Sequence, residues 1–173
     1  MTIEPDTKDW TWVLNRPCPE CGFDSRSFPR DQVGAMVRGT AAEWQTVLRR
    51  SDVRRRPDPA TWSPLEYACH VRDVFRLYAQ RLEMMLQSDD PAYPNWDQDA
   101  TAIEERYAEQ DAAVVAAELA TAADDIAGRF DRVVDDEWAR TGRRSDGATF
   151  TVETFARYFI HDPIHHLHDV GAT

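Results

Sequence analysis

The sequence predicts an all-α fold: a four-helix bundle with a long crossover connection, preceded by an irregular N-terminal arm. Three observations carry this prediction. Apolar residues recur at helical spacing in four long segments, no strand-like alternation persists anywhere, and a break over residues 89–100 separates the second segment from the third. At 173 residues the chain is long enough for one domain with a real core. It divides into an arm over residues 1–28 and a bundle over residues 29–173.

The arm contains Trp10, Trp12, three prolines and Cys18-Pro19-Glu20-Cys21-Gly22, with no sustained period. Exposed tryptophans would be a liability, so it reads as an ordered arm lying over the body. Pro29 opens the first helix, in which Val33, Met36/Val37, Thr40, Trp44 and Val47/Leu48 recur up to about Asp52. Residues 54–60, with two prolines, connect it to the second. There Ser63 caps, Pro64 suits the first helical position and Glu66 completes a capping box. Ala68, Val71, Phe75, Tyr78, Leu82 and Met85 form its buried stripe. Arg72, Arg76, Gln80, Glu83 and Gln87 form its wet side.

His70 projects between those two faces on an apolar flank, which implies at least partial burial. A short helix covers Ala100 to Tyr107, and the third long helix runs from near Asp111 to about Trp138. Its seam is Val115, Leu119, Ala122, Ile126, Phe130 and Val133. Residues 141–147 read as a turn-rich loop. The last helix begins around Thr151 and is apolar almost all round. Pro163 cannot donate to the carbonyl of Phe159, so a kink or bulge is expected between His161 and His165.

Hydrophobic residues make up 42% of the chain and charged residues 29%, ordinary for a soluble globular protein. No apolar run is long enough to span a bilayer and no secretory signal opens the chain, so a cytoplasmic protein without membrane partners is the default. A net charge of −11 repels phosphate backbones and argues against nucleic-acid binding. The one basic run, Arg49-Arg50 with Arg54-Arg55-Arg56, reads as a solvated helix terminus.

Four of the five histidines lie in His161-Asp162-Pro163-Ile164-His165-His166-Leu167-His168, and the fifth is His70. Residues four and seven apart share a helix azimuth, so His161, His165 and His168 can form one stripe. Imidazole is a common ligand for borderline metals, so the run suggests a metal centre inside the bundle. The plainer alternative is that these histidines complement a helix dipole or pack in the core.

Trp62-Ser63-Pro64-x-Glu66-x-x-x-His70, paired with His161-x-x-x-His165, resembles the DinB/YfiT-like superfamily of metalloenzymes, and the words around Asp162-Pro163 resemble an actinobacterial branch. The resemblance runs from residue 29 to the end. It implies a bundle with a crossover, a divalent ion (zinc or nickel), a small-molecule substrate and a homodimer. It places His70, His161 and His165 as the metal ligands, with His168 beside the ion. His166 lies on a different azimuth and reads as a packing or surface residue.

Relatives include thiol-dependent isomerases and S-transferases, which implies mycothiol as a cosubstrate. One branch has Glu at the position of His161, which weighs against maleylpyruvate isomerisation. Three ligands leave an open position, the mark of a catalytic rather than a structural site. Asp73, Tyr158, Asp162 and Asp169 are the candidates to orient the ligands. The functions implied are thiol transfer or isomerisation of a small electrophile, hydrolysis with metal-bound water, or a non-catalytic metal-binding module. Arg140, Arg143 and Arg144 could hold an anionic group.

Cys18-x-x-Cys21 resembles one knuckle of a zinc ribbon, but a structural zinc needs four ligands and there is no second Cys pair. It reads as two reduced thiols, or as a knuckle completed by an acidic or His ligand. Cys69 reads as a small core residue.

Overall fold

The structure, a computed structural model, describes residue 3 and residues 9–172. The remainder of the expected arm and Thr173 lie outside the described residues. Four long helices build the body: α1 (Val33–Leu48), α2 (Pro64–Gln87), α4 (Ala112–Phe130) and α5 (Val152–Asp169). A short α3 (Gln98–Glu104) lies in the connection between α2 and α4. α4 packs along both α1 and α2, and α5 closes the other side against the same two helices. Consecutive α1 and α2 therefore stand diagonally across the bundle, which requires long links between the helices.

The expected core residues of α2 and α4 are all buried, from Ala68 to Met85 and from Val115 to Val133. Three details differ from the sequence reading. Arg72 is buried rather than on the wet side, because Asp73, Gln110 and Glu118 surround its guanidinium. α4 ends at Phe130, short of Trp138, and the chain turns extended at Val134, with φ −124° and ψ 152°, before a separate turn begins. Trp138 still packs, stacking on Phe130 from a separate 3-10 turn.

The third difference is a small sheet, which departs from a strictly all-α fold. β1 (Ala92–Tyr93) pairs in parallel with β2 (Thr141–Arg144), and β2 pairs antiparallel with β3 (Thr149–Thr151). These strands have two to four residues, too few for a period of two to show in the sequence. Gly142 lets β2 lie on α2, since a Cβ there would stand 2.8 Å from Met85 Cγ. The loop expected over residues 141–147 is thus mostly a hairpin, and it carries Arg144 towards α5.

α2 starts as its sequence predicts. Ser63 accepts from the Glu66 backbone N–H, and Glu66 accepts from the Ser63 backbone N–H at 2.8 Å and hydroxyl at 2.7 Å. Arg56 adds a charge-assisted pair to the same buried carboxylate. Arg54 donates to Ala108 O and Gln110 O and Arg50 to Val170 O, while Arg49 and Arg55 of the same run are exposed. Burial pushes the Glu66 carboxyl up, but the bonds from Arg56 and Ser63 outweigh it and hold the group below its ordinary value. A depressed carboxylate stabilises the fold above its unfolded value, and that contribution is lost as pH falls through the folded one. Glu66→Gln should therefore destabilise the protein by about 1–2 kcal/mol at neutral pH. In urea titrations across pH, the gap to wild type should close below about 4.3.

Candidate metal centre

α5 runs as one α-helix from Val152 to Asp169 with Pro163 inside it. Trp44 reaches across from α1 and donates to Pro163 O at 3.2 Å. The register of four is kept through the proline, and no π segment replaces it. Two neighbouring stripes of donors result, turned from each other by about 100°. His161 and His165 form one, Asp162 and His166 the other.

The two stripes face different partners. His161 and His165 meet Cys18 and Cys21 of the arm, whereas Asp162 and His166 meet His70 of α2. Within each set the donor atoms lie within 4.8 Å of one another. The structure thus does not gather His70, His161 and His165 into one set. Azimuth is the physical reason: the side of α5 that faces α2 is one residue further on than the histidine spacing suggested. His168 is exposed and belongs to neither set.

The His70 set sits in a cleft of about 840 Å³ between α2, α5, the arm and the hairpin. His70 is fully buried and stacks on Trp96, with ring centroids 5.3 Å apart and planes 9° apart. Its Nε2 lies 3.3 Å from Asp162 Oδ1, and His166 Nε2 lies 3.9 Å from the same oxygen. His166 Nδ1 lies 2.8 Å from Asp169 Oδ2, which fixes the ring with Nε2 turned to Asp162. A carboxylate behind a histidine in this way orients metal-ligating imidazoles.

The donor set suits a divalent cation. Among the described residues, Asp162 Oδ1 is buried without a hydrogen-bond partner, and so is His70 Nδ1. A buried carboxylate oxygen left this way is costly unless a cation meets it. Two N or O ligands of a tetrahedral ion stand about 3.4 Å apart, close to the His70–Asp162 separation. Burial pushes the Asp162 carboxyl up, but the imidazoles of His70 and His166 outweigh it and hold the group well below its ordinary range.

Other expected groups fall elsewhere. Asp73 accepts from Arg72 and from Tyr107 Oη, outside the donor set. Cys69 is buried beside Tyr107 and Gln110, where burial pushes its thiol up to about 12. Arg140 binds Met85 O and Ser88 O, and Arg143 pairs with Asp90. Arg144 alone of the three lines the cleft, donating to Tyr158 Oη at 3.2 Å and pairing with Asp146. Asp162 and His166 as a pair, braced by Asp169, are what the sequence reading missed. The signal was present, since 162 and 166 share the spacing of 161 and 165.

The family model described as DinB superfamily matches residues 47–170. The chain belongs to the DinB superfamily. That match takes in His70 and the whole of α5, and leaves Cys18 and Cys21 outside it. Among solved structures, the DinB-type bundle of this chain is similar to YfiT from Bacillus subtilis, with a TM-score of 0.73 at 16% identity. The similarity covers 83% of this chain and 85% of that one. YfiT is described as a probable metal-dependent hydrolase with an unusual four-helix bundle topology. No curated protein matches the chain. No helix among the described residues is long and apolar enough to cross a membrane.

The brace on His166 has a spectroscopic consequence. In metal-free protein, nitrogen-15 spectra of the imidazoles should show His166 held as the Nδ1–H tautomer, and Asp169→Asn should release that preference. A wild-type His166 found as the Nε2–H tautomer would contradict the orientation.

Proposed function

We propose that this protein is a metal-dependent enzyme acting on small molecules, with His70, Asp162 and His166 as ligands of a divalent ion, zinc or nickel. The observation that carries this reading is the convergence of His70 Nε2, the Asp162 carboxylate and His166 Nε2 on one cleft. Three ligands and open space beside them make a catalytic rather than a closed site. When bound, the ion supplies Lewis-acid activation of a water or a small thiol.

The chain's own residues set the conditions. Asp169 takes the Nδ1 hydrogen bond of His166 and leaves Nε2 as a lone-pair donor. Trp96 holds the plane of the His70 ring, and Trp62 packs on the same ring at 5.5 Å. Arg144 offers a cation at the cleft wall. Tyr158 accepts from it, and burial pushes the phenol up, so it stays protonated and keeps an O–H to donate to a substrate oxygen. Cation and phenol together suit a substrate that carries a carbonyl or carboxylate.

Hydrolysis is the reading we favour, and the likeness to YfiT, described as a probable metal-dependent hydrolase, supports it. One observation favours a second reading, transfer of a mycothiol-type thiol to an electrophile. A volume of about 840 Å³ has room for two small reactants.

Untagged protein assayed for metal content and for turnover of an ester, amide and electrophile panel, with and without mycothiol, tests both. His70→Ala and His166→Ala should each lower turnover more than ~100-fold, and Asp169→Asn by about 10–100-fold. Turnover without thiol supports hydrolysis, and an absolute need for thiol supports transfer. If His70→Ala leaves metal content and turnover unchanged, the ligand assignment is wrong.

A further inference from the structure

The mechanism above leaves unused the other stripe of α5 and the thiols of the arm. We infer that Cys18, Cys21, His161 and His165 form a second, structural metal site that takes zinc and fastens the arm to α5. The four residues come from two segments more than a hundred positions apart, and their donor atoms lie within 4.8 Å of one another. Cys18 Sγ stands 3.6 Å from His165 Nδ1, and Cys21 Sγ stands 3.7 Å from His161 Nε2. In a tetrahedron with Zn–S near 2.3 Å and Zn–N near 2.0–2.1 Å, a sulfur and a nitrogen lie about 3.6 Å apart. Both observed separations fit that edge.

The backbone of the arm is shaped to present two sulfurs to one point. Gly22 N–H donates to Cys18 O at 2.9 Å, Cys18 N–H donates to Phe23 O at 2.9 Å, and Gly22 takes a φ of 74°. A residue with a Cβ would be strained at that φ. Both cysteines are free thiols.

The surroundings complete the case. Cys18, His161 and His165 are buried, and Trp10 packs on both imidazoles at 5.6 and 5.1 Å. The far nitrogen of His165, Nε2, lies 3.5 Å from Glu20 Oε2 and 3.7 Å from Asp169 Oδ1. Carboxylates there favour the tautomer with the proton on Nε2 and leave Nδ1 as the lone-pair donor facing Cys18, the arrangement that orients a ligating histidine. Two thiol–imidazole hydrogen bonds would account for the two pairs separately, but not for all four donor atoms lying within 4.8 Å of one another.

Four protein ligands without an open position mark a structural rather than a catalytic zinc. On binding, the two thiols lose their protons to solvent and two thiolates and two neutral imidazoles surround the ion, giving a neutral centre. Its effect is mechanical. Trp10 and Glu20 line the catalytic cleft, so the fastened arm forms one of its walls. Ligands of the two sites alternate along α5, and Asp169 touches a histidine of each.

Cobalt loading of the reduced, untagged protein tests the inference. Cobalt(II) should give a thiolate-to-metal charge-transfer band, and zinc should bind at two equivalents per chain. Cys18→Ser with Cys21→Ser should abolish the band and remove one equivalent, whereas His70→Ala should keep the band and remove the other. A measurement without variants stands beside these: zinc should protect two of the three thiols of the wild-type chain from a disulfide reagent, and chelation should expose them. Chelation should also speed tryptic cleavage after Arg26.

Absence of the charge-transfer band, thiol reactivity indifferent to zinc, or a band lost with His70→Ala would each overturn the inference. The last result would mean one mixed site, and it would leave metal binding by His70 standing.

Discussion

Because α5 continues through Pro163, every side chain on it takes an azimuth fixed by its position in the sequence, and that constraint sets which groups meet. A proline in a helix interior costs about 3 kcal/mol through the lost hydrogen bond and the clash of its ring. Burial of Phe155, Phe159, Ile160 and Leu167 on the same helix contributes about 1.5–3 kcal/mol for each side chain, enough to offset it. Trp44 donates to Pro163 O from α1 and ties the turn to the bundle. A break at this proline would slide the two donor stripes past each other and separate each from its partner.

The helix is apolar almost all round, and it buries two histidines that have little to gain from water. Burial, with His165 next to it, holds the His161 imidazole down to about 4, so that ring is neutral at physiological pH. Burial likewise lowers His165. A neutral imidazole is the form that gives a lone pair to a cation. The same helix thus presents two kinds of donor set: sulfur and nitrogen towards the arm, and nitrogen and oxygen towards α2. The first suits a closed site and the second an open one.

Much of this architecture is legible in the chain. The capping box at Ser63 and Glu66 placed the start of α2, since local hydrogen bonds decide it, and the apolar flank beside His70 pointed to the burial of that ring. The seam of α4 was equally plain, from Val115 to Phe130. The sheet was not, because strands of two to four residues carry no period. The candidate site was legible in part: His70 and α5 do line one cleft, but the histidines that the spacing groups together fall into two donor sets. Spacing alone treats His161/His165 and Asp162/His166 alike, and an apolar wheel does not show which faces α2. Only the tertiary position of α5 separates them. The partner for Cys18-x-x-Cys21 was hidden for a similar reason, since its complement lies at the far end of the chain.

On this reading α5 carries two donor sets that alternate along it, each holding its own ion. Anomalous diffraction at the zinc absorption edge, from crystals of untagged protein grown with zinc, tests it most directly. Two peaks should appear, one among Cys18, Cys21, His161 and His165 and the other among His70, Asp162 and His166. A single peak bound by His70 together with His161 and His165 would contradict the account.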